Sequence, residues 1–127
     1  MVRTAVGVAA LVMSTTGAWA QGDAVLGEQA FERCATCHTV GTGVKNAPDL
    51  ANVIGRPAAS IEGFKYSDAM REAAQAGLVW DVETLTKFIT KPRSVVNGST
   101  MAFTGLRNPD DVANVIAYLA TFSTPPQ

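Results

Sequence analysis

The chain has 127 residues, 47% of them hydrophobic, with 10 basic and 11 acidic side chains and a formal net charge of −1. That balance carries neither the basic stripe of a nucleic-acid binder nor the polybasic signature of a protein that adheres to anionic membranes. The length suffices for one small domain and not for two.

Residues 1–20 read as a secretory signal peptide. Arg3 supplies a short basic start, Ala5 to Met13 an apolar run, and Ala18-Trp19-Ala20 a small-residue cleavage site before Gln21. The apolar run falls short of the roughly 20 residues of a membrane span, and Ser14, Thr15, Thr16 and Gly17 interrupt the stretch after it. An uncleaved N-terminal anchor is the alternative. Cleavage leaves residues 21–127 as one domain with 9 basic and 11 acidic residues, a net charge of −2. The expected location is the periplasm, without stable membrane insertion of the mature chain.

From Asp23 to Cys34, Gly27, Ala30, Phe31 and Cys34 fall at i, i+3, i+4 and i+7, which predicts a helix with one small, apolar face. It runs into Cys34-Ala35-Thr36-Cys37-His38. Cys-x-x-Cys-His supplies two thiols that can add to the two vinyl groups of one porphyrin, and an imidazole for the iron beneath it. The rival readings of Cys-x-x-Cys are a thioredoxin-like redox pair, half of a zinc site and a short disulfide. The first needs a preceding strand in a βαβ pattern. The second needs two more ligands, whereas Cys34, Cys37 and His38 are the only Cys and His residues present. One covalently held haem c is the expected cofactor, with a free dithiol or disulfide as the alternative; in an oxidising compartment, haem attachment or a disulfide would consume both thiols.

A loop extends from Thr39 to about Tyr66, punctuated by Gly41, Gly43, Pro48, Gly55, Pro57 and Gly63. So long a loop in a small domain usually has a functional reason, and wrapping a haem edge would be one. Ser67 is a candidate N-cap for a helix through Ala76 that Gly77 stops, and Asp81 for another through about Thr90 that Pro92 stops. Val82, Leu85, Phe88 and Ile89 form the expected buried face of the latter. The last helix opens on Asn108 as N-cap, Pro109 in the first helical position and Asp110 and Asp111 at the positive end of the dipole. Its Val112, Val115, Ile116 and Leu119 repeat the i, i+3, i+4, i+7 stripe, for which the Gly27 face is the natural partner. Thr124 to Gln127 read as a frayed tail. No strand alternation and no internal repeat is present.

A single histidine leaves the sixth position of a haem iron open, and a thioether sulfur is the soft donor that raises the reduction potential. Met1 and Met13 lie in the signal segment, and Met70 falls within a short helix, where a core or surface role is the ordinary reading. Met101, in the loop Asn97-Gly98-Ser99-Thr100-Met101 between Pro92 and Gly105, is the expected second ligand; the alternative is that it fills the core.

These segments, together with Ala47-Pro48-Asp49-Leu50, Gly55-Arg56, Gly63-Phe64-Lys65-Tyr66-Ser67, Trp80 and Ile116-Ala117-Tyr118-Leu119, resemble the class I cytochromes c. The pattern is closest to the bacterial cytochromes c2 and the mitochondrial type, and it runs from about Gly27 to Leu119. The resemblance implies an all-α, single-domain fold in which short helices and loops wrap the haem, and in which the terminal helices cross at Gly27, Phe31, Tyr118 and Leu119. It implies iron ligands His38 and Met101, a Pro48 carbonyl that accepts the proton on the far nitrogen of His38, and Arg56, Tyr66 and Trp80 around the haem propionates. Ser99 is expected near the buried propionate and Phe103 as a shield on the methionine side.

The function so implied is one-electron transfer, not enzymatic turnover, by a monomer between redox proteins such as membrane oxidoreductase complexes or a terminal oxidase. A cytochrome subunit dedicated to a periplasmic dehydrogenase is the alternative, and a gas-binding haem protein is another if Met101 is not a ligand. The chain departs from the pattern in three places. Phe88 stands where many relatives carry a tyrosine hydroxyl near the ligand sulfur, and Ala47 replaces the usual glycine before Pro48. The basic docking face is thin, with Arg33, Lys45, Lys65, Arg93 and Arg107 as candidates and Lys87 and Lys91 nearby.

Overall fold

The computed structural model describes residues 22–124; the expected signal peptide and residues 125–127 of the expected tail lie outside the described residues. Five helices succeed one another along the chain: α1 (Ala24–Ala35), α2 (Asp68–Gln75), α3 (Val82–Thr90), α4 (Pro92–Val95) and α5 (Pro109–Ala120). There is no strand among the described residues, only an isolated antiparallel bridge between Pro57 and Val79.

Four of the helices start where a short polar side chain can satisfy the free N–H groups of a first turn. Asp23 accepts from Val25 and Leu26, Ser67 from Met70, Asp81 from Thr84, and Asn108 from Asp110. Gly77 ends the α2 segment with φ +94°, a left-handed conformation that costs glycine little. Pro92 has a second role besides stopping α3. It lies just past that helix and opens α4, because the missing N–H and fixed φ that break one helix suit the first turn of the next.

The terminal helices cross as expected. At Gly27 a Cβ would stand 1.9 Å from the Asn114 carbonyl oxygen and 2.8 Å from the Tyr118 Cβ, so only a bare Cα admits this approach. Phe31 and Tyr118 pack with ring centroids 5.2 Å apart, and the Asp23 N–H donates to Asn114 Oδ1 at 2.7 Å. Val112, Val115, Ile116 and Leu119 are all buried. Each such side chain contributes on the order of 1.5–3 kcal/mol by leaving water.

The α3 face differs from expectation at one end. Leu85 and Phe88 are buried and Ile89 partly so, but Val82 is 47% exposed. As the first helical residue it lies at the edge of the packed face, and its apolar character reports only local periodicity.

The 39–66 loop is tied at several points. The Asn52 N–H donates to the Phe122 carbonyl (3.0 Å) and Asn52 Oδ1 accepts from the Thr124 N–H (2.6 Å), which clasps the loop to the end of α5. Gly55 N–H to Trp80 O (2.7 Å), Trp80 N–H to Arg56 O (2.9 Å) and Ala58 N–H to Leu78 O (2.9 Å) tie its middle to the segment before α3. The loop thereby becomes one wall of a cavity whose other walls are α1, α2, α3, α5 and the Met101 loop.

Candidate cofactor site

The end of α1 sets one rim of this cavity. Backbone bonds from Cys37 N–H (3.1 Å) and His38 N–H (2.8 Å) to the Cys34 carbonyl wind the chain through one more turn, bringing Cys34, Cys37 and His38 to the same space. Burial pushes the Cys34 thiol up, partly offset by the Arg33 guanidinium, so it is held protonated.

The His38 imidazole has a defined tautomer. Its Nδ1 lies 2.7 Å from the Pro48 carbonyl oxygen. A carbonyl only accepts, so Nδ1 carries the proton and the lone pair of the neutral ring is on Nε2. Burial favours that neutral ring by lowering its pKa; the Pro48 carbonyl opposes the shift and Arg56 adds to it.

The cavity has a volume of about 380 Å³, within the usual range for a bound cofactor. All ten side chains expected from the sequence line it: Cys34, Cys37, His38, Pro48, Arg56, Tyr66, Trp80, Ser99, Met101 and Phe103. Trp80 is buried and packs on Phe88 at 4.7 Å between centroids. Tyr66 Oη accepts from the Ile61 N–H at 3.2 Å, and Ser99 Oγ accepts from the Met101 N–H at 3.3 Å.

Arg56 bears most directly on what the cavity can hold. It is half-buried, its guanidinium donates once, from Nη1 to the Ala51 carbonyl at 3.1 Å, and it has no ion-pair partner among the described residues. Its burial lowers its pKa, against opposing fields from Tyr66 and Asp49. A guanidinium with unused donors on a largely apolar wall suits an apolar ligand with an anionic edge. A porphyrin with carboxylate arms is such a ligand, and two thiols, one imidazole and one thioether around it are the donor set that such a ligand and its iron require.

Of the core and surface roles open to Met70 in the sequence, the structure gives the core one: it is partly buried and lines the cavity from α2. It shares that side of α2 with the partly buried Ala73 and Ala74, three and four residues on. The basic residues Arg33, Lys45, Lys65, Arg93, Arg107, Lys87 and Lys91 are all exposed, and Lys87 is paired with Glu83 at 2.7 Å.

Residues 24–123 match the sequence model of the family described as Cytochrome c. The chain belongs to the cytochrome c family. It is 50% identical over 115 residues to cytochrome c2 of Rhodomicrobium vannielii, covering 89% of each chain. Among solved structures it is similar to cytochrome c2 from Rhodospirillum centenum, with a TM-score of 0.75 and 34% identity over 81% of this chain and 100% of that one. Cytochrome cH from Methylobacterium extorquens gives a TM-score of 0.73 and 37% identity over 79% and 99%. The all-α architecture with crossed terminal helices is therefore the class I cytochrome c fold, and membership of the family carries a covalently bound c-type haem with it. The thioredoxin-like alternative lacks its strand among the described residues.

Proposed function

We propose that the protein is a periplasmic one-electron carrier holding one haem c through thioether bonds to Cys34 and Cys37, with His38 Nε2 and the Met101 sulfur as axial ligands. The haem supplies the one-electron couple when bound. The observation that carries the reading is the convergence of two thiols, an Nε2-presenting imidazole, a thioether and an under-used guanidinium on one apolar cavity.

The chain's own residues then have definable tasks. Pro48 holds His38 in the tautomer that can ligate. Arg56, with Tyr66, Trp80 and Ser99 nearby, offsets the cost of bringing carboxylate charge against an apolar wall. Phe103, Phe88 and Leu85 exclude water, which keeps the surroundings from reorganising as charge changes. Phe88 offers no hydroxyl to the Met101 sulfur, so the hydrogen bond that a tyrosine would supply from that position is missing.

The leader is removed before Gln21 and residues 21–127 act as a monomeric domain. Its partners are redox proteins: a membrane oxidoreductase complex, a terminal oxidase or a periplasmic dehydrogenase. The test is an absorption spectrum of the purified protein with a haem stain on a denaturing gel of the same sample. Haem that stays with the denatured chain is expected, together with a methionine-to-iron charge-transfer band that disappears in Met101→Leu. A chain that loses its haem on the gel would sink the attachment claim; a band that survives Met101→Leu would sink the ligand.

A further inference from the structure

Asp49 comes directly after Pro48, and its side chain does more than any other in the loop. Oδ1 accepts from the Gly41 N–H and the Ala51 N–H, each at 2.8 Å, and Oδ2 from the Gly43 N–H at 2.6 Å and, more weakly, from Gly41 at 3.0 Å. Gly41 and Gly43 have φ of +101° and +89°, conformations that turn their N–H groups onto one carboxylate as a backbone nest does onto an anion. Just before this turn, residues 37–39 are laced to residues 47–50 by backbone bonds, Ala47 N–H to Cys37 O at 3.1 Å and Leu50 N–H to Thr39 O at 2.8 Å. Between these two bonds lies the contact from His38 Nδ1 to Pro48 O, at 2.7 Å.

We propose that Asp49 is a positioning residue for the axial histidine: its carboxylate closes the 41–43 turn onto residues 47–51 and so holds the Pro48 carbonyl on His38 Nδ1. The proposal rests on the reading of His38 as an iron ligand. A carbonyl held close to Nδ1–H makes the imidazole a better electron donor and favours the ferric iron. Loosening the turn therefore moves the couple toward ferrous. The carboxylate's own environment agrees with such an anchor: partial desolvation pushes its pKa up, but the N–H groups of Ala51, Gly41 and Gly43 and the Thr39 side chain outweigh that and hold it below the ordinary value.

The experiment uses the haem-loaded protein with Asp49→Ala and Asp49→Asn. It reads the exchange rate of the His38 Nδ1 proton by NMR in the ferrous state, and the ferric–ferrous equilibrium at low and high salt. Asp49→Ala is expected to speed exchange about tenfold and to shift the equilibrium toward ferrous about threefold, less than the roughly tenfold effect of removing a direct partner. Asp49→Asn keeps one oxygen for Gly41 and Ala51 but loses the acceptor for Gly43, so it should fall between Asp49→Ala and the parent. Both variants lose the same charge. Equal shifts that vanish at about 1 M salt would mark a surface Coulomb effect and overturn the proposal. So would slower refolding or lower stability with unchanged exchange and unchanged equilibrium. Should Asp49→Ala fail to fold, Asp49→Asn alone decides, by whether its Nδ1 proton exchanges faster than in the parent at both salt concentrations. Failure of the underlying ligand reading would be visible separately, as absence of a haem-bound His38 signal in the parent protein.

Discussion

The two sides of the cavity are built differently. On the His38 side, the Pro48 contact, the Thr39–Leu50 bond and three of the four bonds to Asp49 are all 2.8 Å or shorter. On the Met101 side the loop from Val96 to Gly105 is held by Ser99 N–H to Val96 O at 3.3 Å, Met101 N–H to Ser99 Oγ at 3.3 Å and Phe103 N–H to Met101 O at 3.0 Å. A firm bond returns only where Leu106 N–H meets Ile89 O at 2.9 Å. The histidine is thus fixed by its protein surroundings, whereas the methionine loop depends on packing and on whatever its sulfur binds. Local opening should start at Met101 and not at His38.

The frame beneath both sides offers the largest perturbation. In Gly27→Ala the new Cβ would meet backbone oxygen of α5 at 1.9 Å, so α1 and α5 have to separate, at a cost of about 3 kcal/mol by the scale of overpacked cores. Denaturant unfolding followed by helical circular dichroism measures this, and a loss below about 1 kcal/mol would mean that the crossing is more plastic than its geometry implies. Because the crossing supports the whole cavity, this variant should weaken both sides alike.

Gly105→Ala should separate them. Its φ is +109°, and a Cβ there would lie 2.0 Å from the Thr90 carbonyl oxygen, at the firm end of the methionine loop. Strain of about 2 kcal/mol is expected, confined to the loop. Amide hydrogen exchange reads it directly: amides from Gly98 to Leu106 should exchange faster while those of α1 and the Thr39–Leu50 turn keep their rates. Uniform acceleration would contradict the independence of the two sides.

How much of this contrast could be read from the sequence depends on how local each feature is. The helix starts at Ser67, Asp81 and Asn108 are decided within a few residues by a side chain that can reach a free N–H, and all three were legible as caps, whereas at Asp23 periodicity gave the start and the structure adds the cap. The clustering of Cys34, Cys37 and His38 was legible too, because one turn of chain holds them. The exposed Val82 was not, since periodicity gives a face but not where packing ends along it. The Asp49 anchor was not legible for a related reason. It depends on left-handed conformations at Gly41 and Gly43 that bring N–H groups six and eight residues back onto one carboxylate.

The smallest expected effect is the most informative about the weaker side. Ser99→Ala removes the acceptor of the Met101 N–H at 3.3 Å, a long neutral bond at a partly exposed position, worth about 0.5 kcal/mol. On the proposed His38 and Met101 ligation, the matching readout is the rate at which added imidazole displaces the methionine from ferric iron, which should rise about twofold. If the Met101 amide is the only group that hydroxyl serves, the reduction equilibrium should not move with it. A tenfold rise, or a shift in that equilibrium, would require a second partner for Ser99. The buried propionate expected from the sequence is the group whose loss of a donor would act on both.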